Sequence, residues 1–311
     1  MLPRLKLNLL VISTSLASLA VAGCASGVYS ETTKRLANPA WMVRHQINTS
    51  VTPIVALERK HSNQAPVYVY IEGDDRFSKT EGITESISTK ISNTLHSDPT
   101  GLKIAISDKA ENLVYLSRPC QFDNYKNCES SYWNGREFSP SVIKAYNEAL
   151  DDLSTRYNHQ KFHLIGYDGG AAIATILTAQ RDDILSLRTI AGVLDTHAQD
   201  VYLNNGAYDK SLNPVDFAAK TKDVPQHHFI GGQDEIVKPS LLHSYLDAIG
   251  NSNCVKYTFV QEAEHKDGWA QKWPQLMALG TPKCEKVETY NPEEFEVKEP
   301  IYVPRMTGDK K

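Results

Sequence analysis

Three side chains in this sequence are of the types that hydrolytic catalysis uses: Asp168, Asp234 and His265. Asp168 is the central residue of the segment GYDGG at 166–170, which separates an apolar run from a helix-like stretch. A sharp, glycine-flanked turn between a strand and a helix presents its central side chain as a nucleophile. A histidine oriented by a second carboxylate can then act as a general base. These residues therefore predict a catalytic site.

The nucleophile position is held by a carboxylate, and this limits the reactions that fit the site. The carboxylate of Asp168 is already an anion, so it needs no base in order to attack. Attack on a carboxylic ester would give a mixed anhydride, which readily reverts. Attack on a saturated carbon would give an alkyl ester, which water activated by His265 could hydrolyse. The sequence therefore favours a carbon electrophile if the site is active. The alternative is an inactive site that binds a ligand or partner.

Asp234 and His265 each follow a predicted strand. Asp234 comes after the apolar run 226–230 and two glycines, and His265 comes after the run 255–260. The carboxyl ends of parallel strands meet at one edge of a sheet, which would bring both side chains towards Asp168. The alternatives are a turn-forming aspartate after two glycines and a histidine in a surface loop.

Two backbone amides are candidates for an oxyanion hole, those of Gly169 and Asp74. Gly169 directly follows the predicted nucleophile, and Asp74 lies just after the predicted strand 67–71. The side chains around Asp74 are acidic, so they would repel a departing anion, and only the backbone N–H could stabilise one there.

No cofactor is predicted, because the glycines lack the spacing of dinucleotide-binding or phosphate-binding loops.

Predicted strands and helices alternate along most of the chain. This alternation predicts a mostly parallel sheet with helices on both faces, the α/β class. The polar stretch 195–224 is too short for a full cap domain and is predicted to be turn-rich, forming at most a short lid. The predicted strands are 41–47, 51–57, 67–71, 112–116, 162–165, 187–193, 226–230 and 255–260, and the predicted helices are 83–95, 140–157, 171–177, 239–249 and 269–279.

The order nucleophile, acid, histidine resembles that of the α/β-hydrolase superfamily, over roughly residues 51–279. More closely, the chain is similar to a group of bacterial lipoproteins of this superfamily. The motifs that carry the similarity are YIEGD at 70–74, SRPCQ at 117–121, YW at 132–133 and LNP at 212–214. The resemblance implies the α/β-hydrolase fold and hydrolase activity at Asp168, Asp234 and His265. That group usually has serine where this chain has Asp168.

The N-terminal segment is typical of an exported lipoprotein. Arg4 and Lys6 precede an apolar run at 7–22 that is shaped like a secretory signal. The segment VAGC at 21–24 resembles the lipobox of bacterial lipoproteins, which implies cleavage before Cys24, diacylglyceryl attachment and N-acylation, for example by palmitate. The alternative is an ordinary secretory signal. Several acyl chains would anchor the protein stably in a membrane.

The expected cellular location and domain boundaries follow from this interpretation. The residues after Cys24 are alanine and serine rather than aspartate, which favours the outer membrane of the bacterial cell envelope, facing the periplasm or the cell surface. We expect a signal peptide at 1–23, a tether at 24–40, the hydrolase domain at 41–281 and a surface tail at 282–311. The net charge of −4 over 311 residues excludes a strongly basic protein, and no nucleic-acid partner is predicted.

Four cysteines remain after Cys24, and export would place them in an oxidising compartment. Four cysteines allow three pairings. We favour Cys120–Cys128, which closes a short loop, and Cys254–Cys284, which ties the last strand region to the C-terminal segment. A metal site is the competing interpretation, but no histidine stands at ligand spacing beside either pair, so no metal is predicted.

Overall fold

The computed structural model describes residues 24–74, 98–122, 128–133, 135–203 and 208–284, and an eight-stranded sheet lies at its centre. The strands are β1 (Val43–Ile47), β2 (Ile54–Lys60), β3 (Val67–Ile71), β4 (Asn112–Leu116), β5 (Phe162–Tyr167), β6 (Ile184–Ile190), β7 (Gln226–Gly231) and β8 (Val255–Val260). The α-helices of the described residues are α1 (Cys24–Ala37), α2 (Thr100–Ser107), α3 (Pro140–Arg156), α4 (Gly169–Gln180), α5 (Thr196–Leu203), α6 (Pro239–Ile249) and α7 (Trp269–Ala278). Short 3-10 helices lie at Asn38–Ala40, Ser130–Trp133 and Pro214–Thr221.

The strand order confirms the predicted mostly parallel sheet. From one edge to the other it is β1-β2-β4-β3-β5-β6-β7-β8. The β1–β2 and β2–β4 pairs are antiparallel, and the remaining pairs are parallel. Helices α3 and α4 pack on one face, while α2, α7 and the end of α1 pack on the other. Because the parallel strands share one direction, the loops after β3, β5, β7 and β8 lie at the same edge.

Most predicted elements are present, with shifts at their ends. Strands β3, β4 and β8 and helix α6 have the predicted bounds. The strand predicted at 187–193 instead ends at Ile190, because Ala191 has a φ of 47°, in the left-handed region that breaks an extended run. The stretch 195–224, predicted to be turn-rich, contains α5 and a 3-10 helix. The helix predicted at 83–95 lies outside the described residues.

Helix α2 is an element that the sequence pattern did not predict. The backbone N–H groups of Gly101 and Leu102, in its first turn, donate to the carboxylate of Glu72, at 2.8 and 3.3 Å. The first N–H groups of a helix have no partner within the helix and need an external acceptor. Here that acceptor is a side chain distant in sequence, so local sequence signals could not reveal it.

The segment predicted as a tether begins with helix α1. Its last residue, Ala37, and the nearby Met42 are buried in the same apolar cluster as α2 and α7. The C-terminal end of this segment therefore packs on the domain, and its role as a tether stays a prediction. No helix in the described part of the chain is both long and apolar enough to span a membrane.

The cysteines pair as predicted. Cys120 is bonded to Cys128, with Cα atoms 5.8 Å apart, and Cys254 is bonded to Cys284, with Cα atoms 4.6 Å apart. The second bond joins the residue just before β8 to the last described residue of the chain. It therefore fixes where the C-terminal segment leaves the domain.

Neutral histidines inside the sheet predict a loss of stability in acid. Burial lowers the pKa of His163 to about 4 and of His228 to about 3, whereas an unfolded imidazole titrates near about 6.5. Below pH 6.5 the unfolded chain therefore binds more protons than the folded one, and the free energy of unfolding falls as the pH drops towards the folded-state values. At pH 4.5 we expect His228 alone to lower the free energy of unfolding by about 2–3 kcal/mol relative to pH 7.

Urea unfolding at several pH values measures this effect. The His228→Gln protein should show a weaker pH dependence between 7 and 4.5 than the parent protein, whatever its absolute stability. His243 is an exposed residue of helix α6, so His243→Gln is the matched control and should leave the pH dependence unchanged. An undiminished pH dependence in the His228→Gln protein would contradict the assignment.

Candidate active site

Asp168 lies at the sharp turn between β5 and α4, as predicted. Its φ of 50° and ψ of −123° are unusual for a residue with a side chain, and such backbone strain clusters at functional sites. The flanking glycines make the turn possible. A Cβ on Gly166 would lie 2.4 Å from the Cα of Ala171, and a Cβ on Gly170 would lie 2.2 Å from the carbonyl oxygen of Ile71. Any larger residue at these two positions would therefore push the turn apart.

The structure brings together the three side chains that the sequence pattern selected. His265 Nδ1 lies 3.0 Å from Asp234 Oδ2, and His265 Nε2 lies 3.5 Å from Asp168 Oδ1. Asp168 is only 1% exposed, and the His265 side chain is 11% exposed. A proton on Nδ1 that is donated to Asp234 leaves Nε2 as the nitrogen that faces Asp168. This geometry would allow the three residues to act as nucleophile, base and orienting acid, and those roles stay a prediction.

Asp234 is held in place by backbone amides. Its Oδ1 accepts hydrogen bonds from the N–H groups of Ile236 and Val237, at 2.8 and 2.9 Å, while its Oδ2 faces His265. The backbone of His265 is also fixed, because its carbonyl accepts from the Tyr167 hydroxyl and the Trp269 indole N–H, both at 3.0 Å. Both the ring and the backbone of His265 are therefore held in place.

The two predicted oxyanion-hole residues both lie next to Asp168. The backbone N–H of Asp74 donates to Asp168 Oδ2 at 3.1 Å. Gly169 begins helix α4 directly behind Asp168 and packs against Asp74, since a Cβ on Gly169 would lie 2.7 Å from the Asp74 Cγ. A Cβ on Gly73 would lie 2.8 Å from Asp168 Oδ2, so the loop after β3 can approach this closely only with glycine there. Their role in catalysis stays a prediction.

Glu72 positions this loop, a role that its place in an acidic stretch did not reveal. It is fully buried, and its Oε1 accepts from the N–H groups of Gly73 and Gly101, at 3.0 and 2.8 Å. Its Oε2 accepts from the Tyr115 hydroxyl at 2.8 Å and from the N–H of Leu102 at 3.3 Å. Burial raises the pKa of Glu72, and these hydrogen bonds oppose that rise. The carboxylate thus joins the loop after β3 to α2 and β4, away from Asp168.

The wall beside Asp74 contains aromatic and polar groups. The Tyr208 hydroxyl donates to Asp74 Oδ2 at 3.2 Å, and the Tyr208 ring stacks on Phe138 with centroids 5.1 Å apart. Tyr208 comes from the stretch predicted to form a short lid.

Among the described residues no group of three or more His, Cys, Asp or Glu is arranged to hold a metal ion.

Comparisons with known proteins support the fold. No protein-family model matches the chain, and no curated protein matches its sequence. Among solved structures, a membrane phospholipase A described as a novel bacterial virulence factor is similar with a TM-score of 0.56 and 12% identity, covering 85% of this chain and 95% of that chain. Two further examples are Est1E from Butyrivibrio proteoclasticus (TM-score 0.51, 12% identity, 76% of this chain and 98% of that chain) and a putative hydrolase from Bacillus subtilis (0.52, 12%, 82% and 99%).

The mostly parallel eight-stranded sheet with helices on both faces agrees with these structural similarities. At such low identity the similarities concern the fold, and they do not extend to a substrate. The chain has the α/β-hydrolase fold, and Asp168 lies at the sharp turn between β5 and α4.

Proposed function

We propose that this protein is a hydrolase of the bacterial envelope, anchored through lipidated Cys24, in which Asp168 attacks a saturated carbon. The observation that carries this proposal is the setting of the two Asp168 oxygens. Oδ2 accepts the backbone N–H of Asp74, and Oδ1 faces His265 Nε2. In a serine hydrolase a backbone N–H at this place would donate to the substrate oxygen. Here it binds the nucleophile itself, which suits an aspartyl ester better than an acyl-enzyme.

The first step forms the ester. Asp168 Oδ1 attacks a tetrahedral carbon of the substrate, a bond forms between the two atoms, and the leaving group departs with the electron pair of its bond to carbon. The product of this step is an alkyl ester of Asp168. Its carbonyl oxygen is Oδ2, the atom that already accepts the N–H of Asp74.

The second step hydrolyses the ester. Water attacks Cγ of Asp168 and gives its proton to His265 Nε2, while Asp234 holds Nδ1 and stabilises the imidazolium. Negative charge then develops on Oδ2, where the Asp74 N–H stabilises it. Collapse breaks the bond between Cγ and Oδ1, and the alcohol leaves with the proton from His265. Asp168 is left as a carboxylic acid that carries the hydroxyl group from water, and loss of this proton to solvent restores its carboxylate.

The proposed location in the cell envelope is supported mainly by the sequence. The signal-like N-terminus ends in the lipobox-like segment at 21–24, and Cys24 would be the first residue of the mature chain. The two disulfides agree with an oxidising compartment. We propose the outer membrane because alanine and serine, and not aspartate, follow Cys24.

A second candidate function is ligand binding without turnover. The observation that favours it is that His265 lies between two buried carboxylates, Asp168 and Asp234. Two neighbouring negative charges favour the imidazolium, which is a poor base and a good ionic partner. The Asp168→Ser protein separates the two candidates. Esterase activity gained on short-chain esters would show that the remaining machinery is intact, and inactivity of both proteins on every substrate class would favour binding.

The His265→Gln protein tests the proposed hydrolase directly. Without a base the second step fails, so the alkyl ester on Asp168 should accumulate when the protein is treated with haloalkanes or epoxides of varied size. Mass spectrometry of the peptide that contains residues 166–170 would detect the added alkyl group. The parent protein should show little adduct, because it hydrolyses the ester.

The control combines two changes, His265→Gln with Asp168→Asn. An alkyl group that still appears on that peptide would come from ordinary surface alkylation and would not support the proposal. Turnover of a substrate by the Asp168→Ala protein would contradict the nucleophile assignment.

A further inference from the structure

Polar side chains cross the amino-terminal half of one sheet face, on the side that α2 and α7 cover. They form two adjacent rows in register, one across β3, β5 and β6 and the other across β6, β7 and β8. We call them the basic strip, and its members are Tyr68, His163, Ser186, Arg188, His227 and Lys256. The strip lies at the opposite end of the strands from Asp168, and it plays no part in the proposed reaction.

Arg188 is the central charge of this strip. It is only 5% exposed, and its Nη1 donates to the Ser186 hydroxyl at 2.8 Å. Its Nε makes no hydrogen bond, and among the described residues no carboxylate lies within salt-bridge distance of its guanidinium. The carboxylate of Asp108 acts on Arg188 only from a longer distance, and its Oδ2 accepts from the Tyr70 hydroxyl. A guanidinium buried without a close anion is costly.

A second cation lies beside Arg188. The Lys256 ammonium donates to the carbonyl oxygen of Leu279 at 2.7 Å, and His227 Nδ1 lies 2.7 Å from the carbonyl oxygen of Gly280. Burial and the charge of Arg188 both lower the pKa of Lys256. The same charge helps to lower the pKa of His163. The strip therefore concentrates positive charge, and an anion bound there would relieve the repulsion.

The chain supplies a matching acidic segment directly beyond the domain. Residues 285–299 contain six glutamates and two lysines, a net charge of −4. This segment follows Cys284, which is bonded to Cys254, two residues before Lys256. The residues after α7 already cross the end of the strip, since Leu279 and Gly280 accept its hydrogen bonds. Cys284, the last described residue before the acidic segment, is therefore held near the basic strip.

We propose that the acidic segment 285–299 docks on the basic strip and supplies carboxylate partners for Arg188 and Lys256. Its reach is sufficient. Ten extended residues span about 33 Å, whereas β8 and β3 are four strand spacings apart, about 19 Å. The segment EEFE at 293–296 begins nine residues after Cys284 and carries three of the six glutamates. It can therefore meet any part of the strip.

Zero-length crosslinking of the full chain tests this docking. A carbodiimide joins a carboxylate to an amine only where the two are in contact, and mass spectrometry identifies the pair. We expect Lys256 to crosslink to Glu293, Glu294 or Glu296, and the yield to fall at 1 M salt, where the screening length is about 3 Å. Glu285 is not informative, because it follows Cys284 directly. Lys60, which also donates to a backbone carbonyl, is the matched control and should not crosslink to this segment.

Charge-removing variants show whether Arg188 holds the segment. Arg188→Gln should lower the yield of these crosslinks severalfold, whereas Arg44→Gln, on β1 at the far edge of the sheet, should not change it. If Arg188→Gln does not fold, the triple change of Glu293, Glu294 and Glu296 to glutamine leaves the domain intact. In that triple variant Lys256 should react faster with an added acylating reagent, because the acidic segment no longer shields its amino group.

Three results would overturn the proposal. The first is a yield for Lys256 no higher than for Lys60, and the second is a yield unaffected by Arg188→Gln in a folded protein. The third is a crosslink found only between two copies of the chain and dependent on protein concentration, since that would assign the segment to a neighbouring molecule. None of these outcomes bears on the proposed reaction at Asp168.

Discussion

A single turnover in water enriched in oxygen-18 is expected to leave the heavy isotope in Asp168 and none in the alcohol product. In the proposed second step water attacks Cγ of Asp168, so its oxygen enters the carboxylate. The alcohol carries away the Asp168 oxygen that first attacked the substrate. Mass spectrometry of the peptide with residues 166–170, and of the alcohol, measures both labels after enzyme in excess has consumed the substrate. In later turnovers the label should appear in the alcohol.

Loss of the Asp168 carboxylate should also abolish turnover. We expect Asp168→Asn to lower kcat by at least about 10⁴-fold, as removal of a catalytic nucleophile does. The variant needs a check of its fold by circular dichroism, and its mass must exclude conversion of the new asparagine back to aspartate. Heavy oxygen in the alcohol on the first turnover would mean that water attacks the substrate directly. Asp168 would then be a base or a binding group and not a nucleophile.

Replacement of Glu72 by alanine should have the largest effect on stability. The change removes a buried acceptor and leaves the N–H groups of Gly101 and Leu102 and the Tyr115 hydroxyl without it. We expect a loss of about 3 kcal/mol or more in the free energy of unfolding, because unsatisfied buried donors are costly. Urea denaturation at pH 7 measures the loss. The loop that presents the Asp74 N–H to Asp168 depends on the same carboxylate, so kcat should fall as well.

Glu148 provides the matched control for this prediction. It also accepts a backbone N–H and a hydroxyl, both from Ser50, but it is partly exposed, so water can replace it. Glu148→Ala should therefore cost less than about 1 kcal/mol. If Glu72→Ala were no more destabilising than Glu148→Ala, Glu72 would not be the support of the loop after β3 and of helix α2.

Local patterns predicted much of the fold, for reasons that the structure makes clear. Strand β8 and helix α6 were predicted with their observed bounds, because runs of apolar residues and a proline at a helix start report local backbone preference. Helix α2 was missed because its first turn is completed by Glu72, far away in sequence. The predicted end of β6 was wrong because Ala191 has a left-handed backbone conformation, which no local sequence pattern indicates.

The sequence by itself determined which residues form the candidate site: the order of Asp168, Asp234 and His265, each after a strand, and the glycines that allow the sharp turn. Tertiary structure decided how those residues face one another. The Asp74 amide reaches Asp168 Oδ2 only because β3 lies beside β5 in the sheet. The basic strip likewise arises from five strands that are separated in sequence and adjacent in space. Strand pairing is a long-range interaction, so local sequence patterns do not show which strands become neighbours.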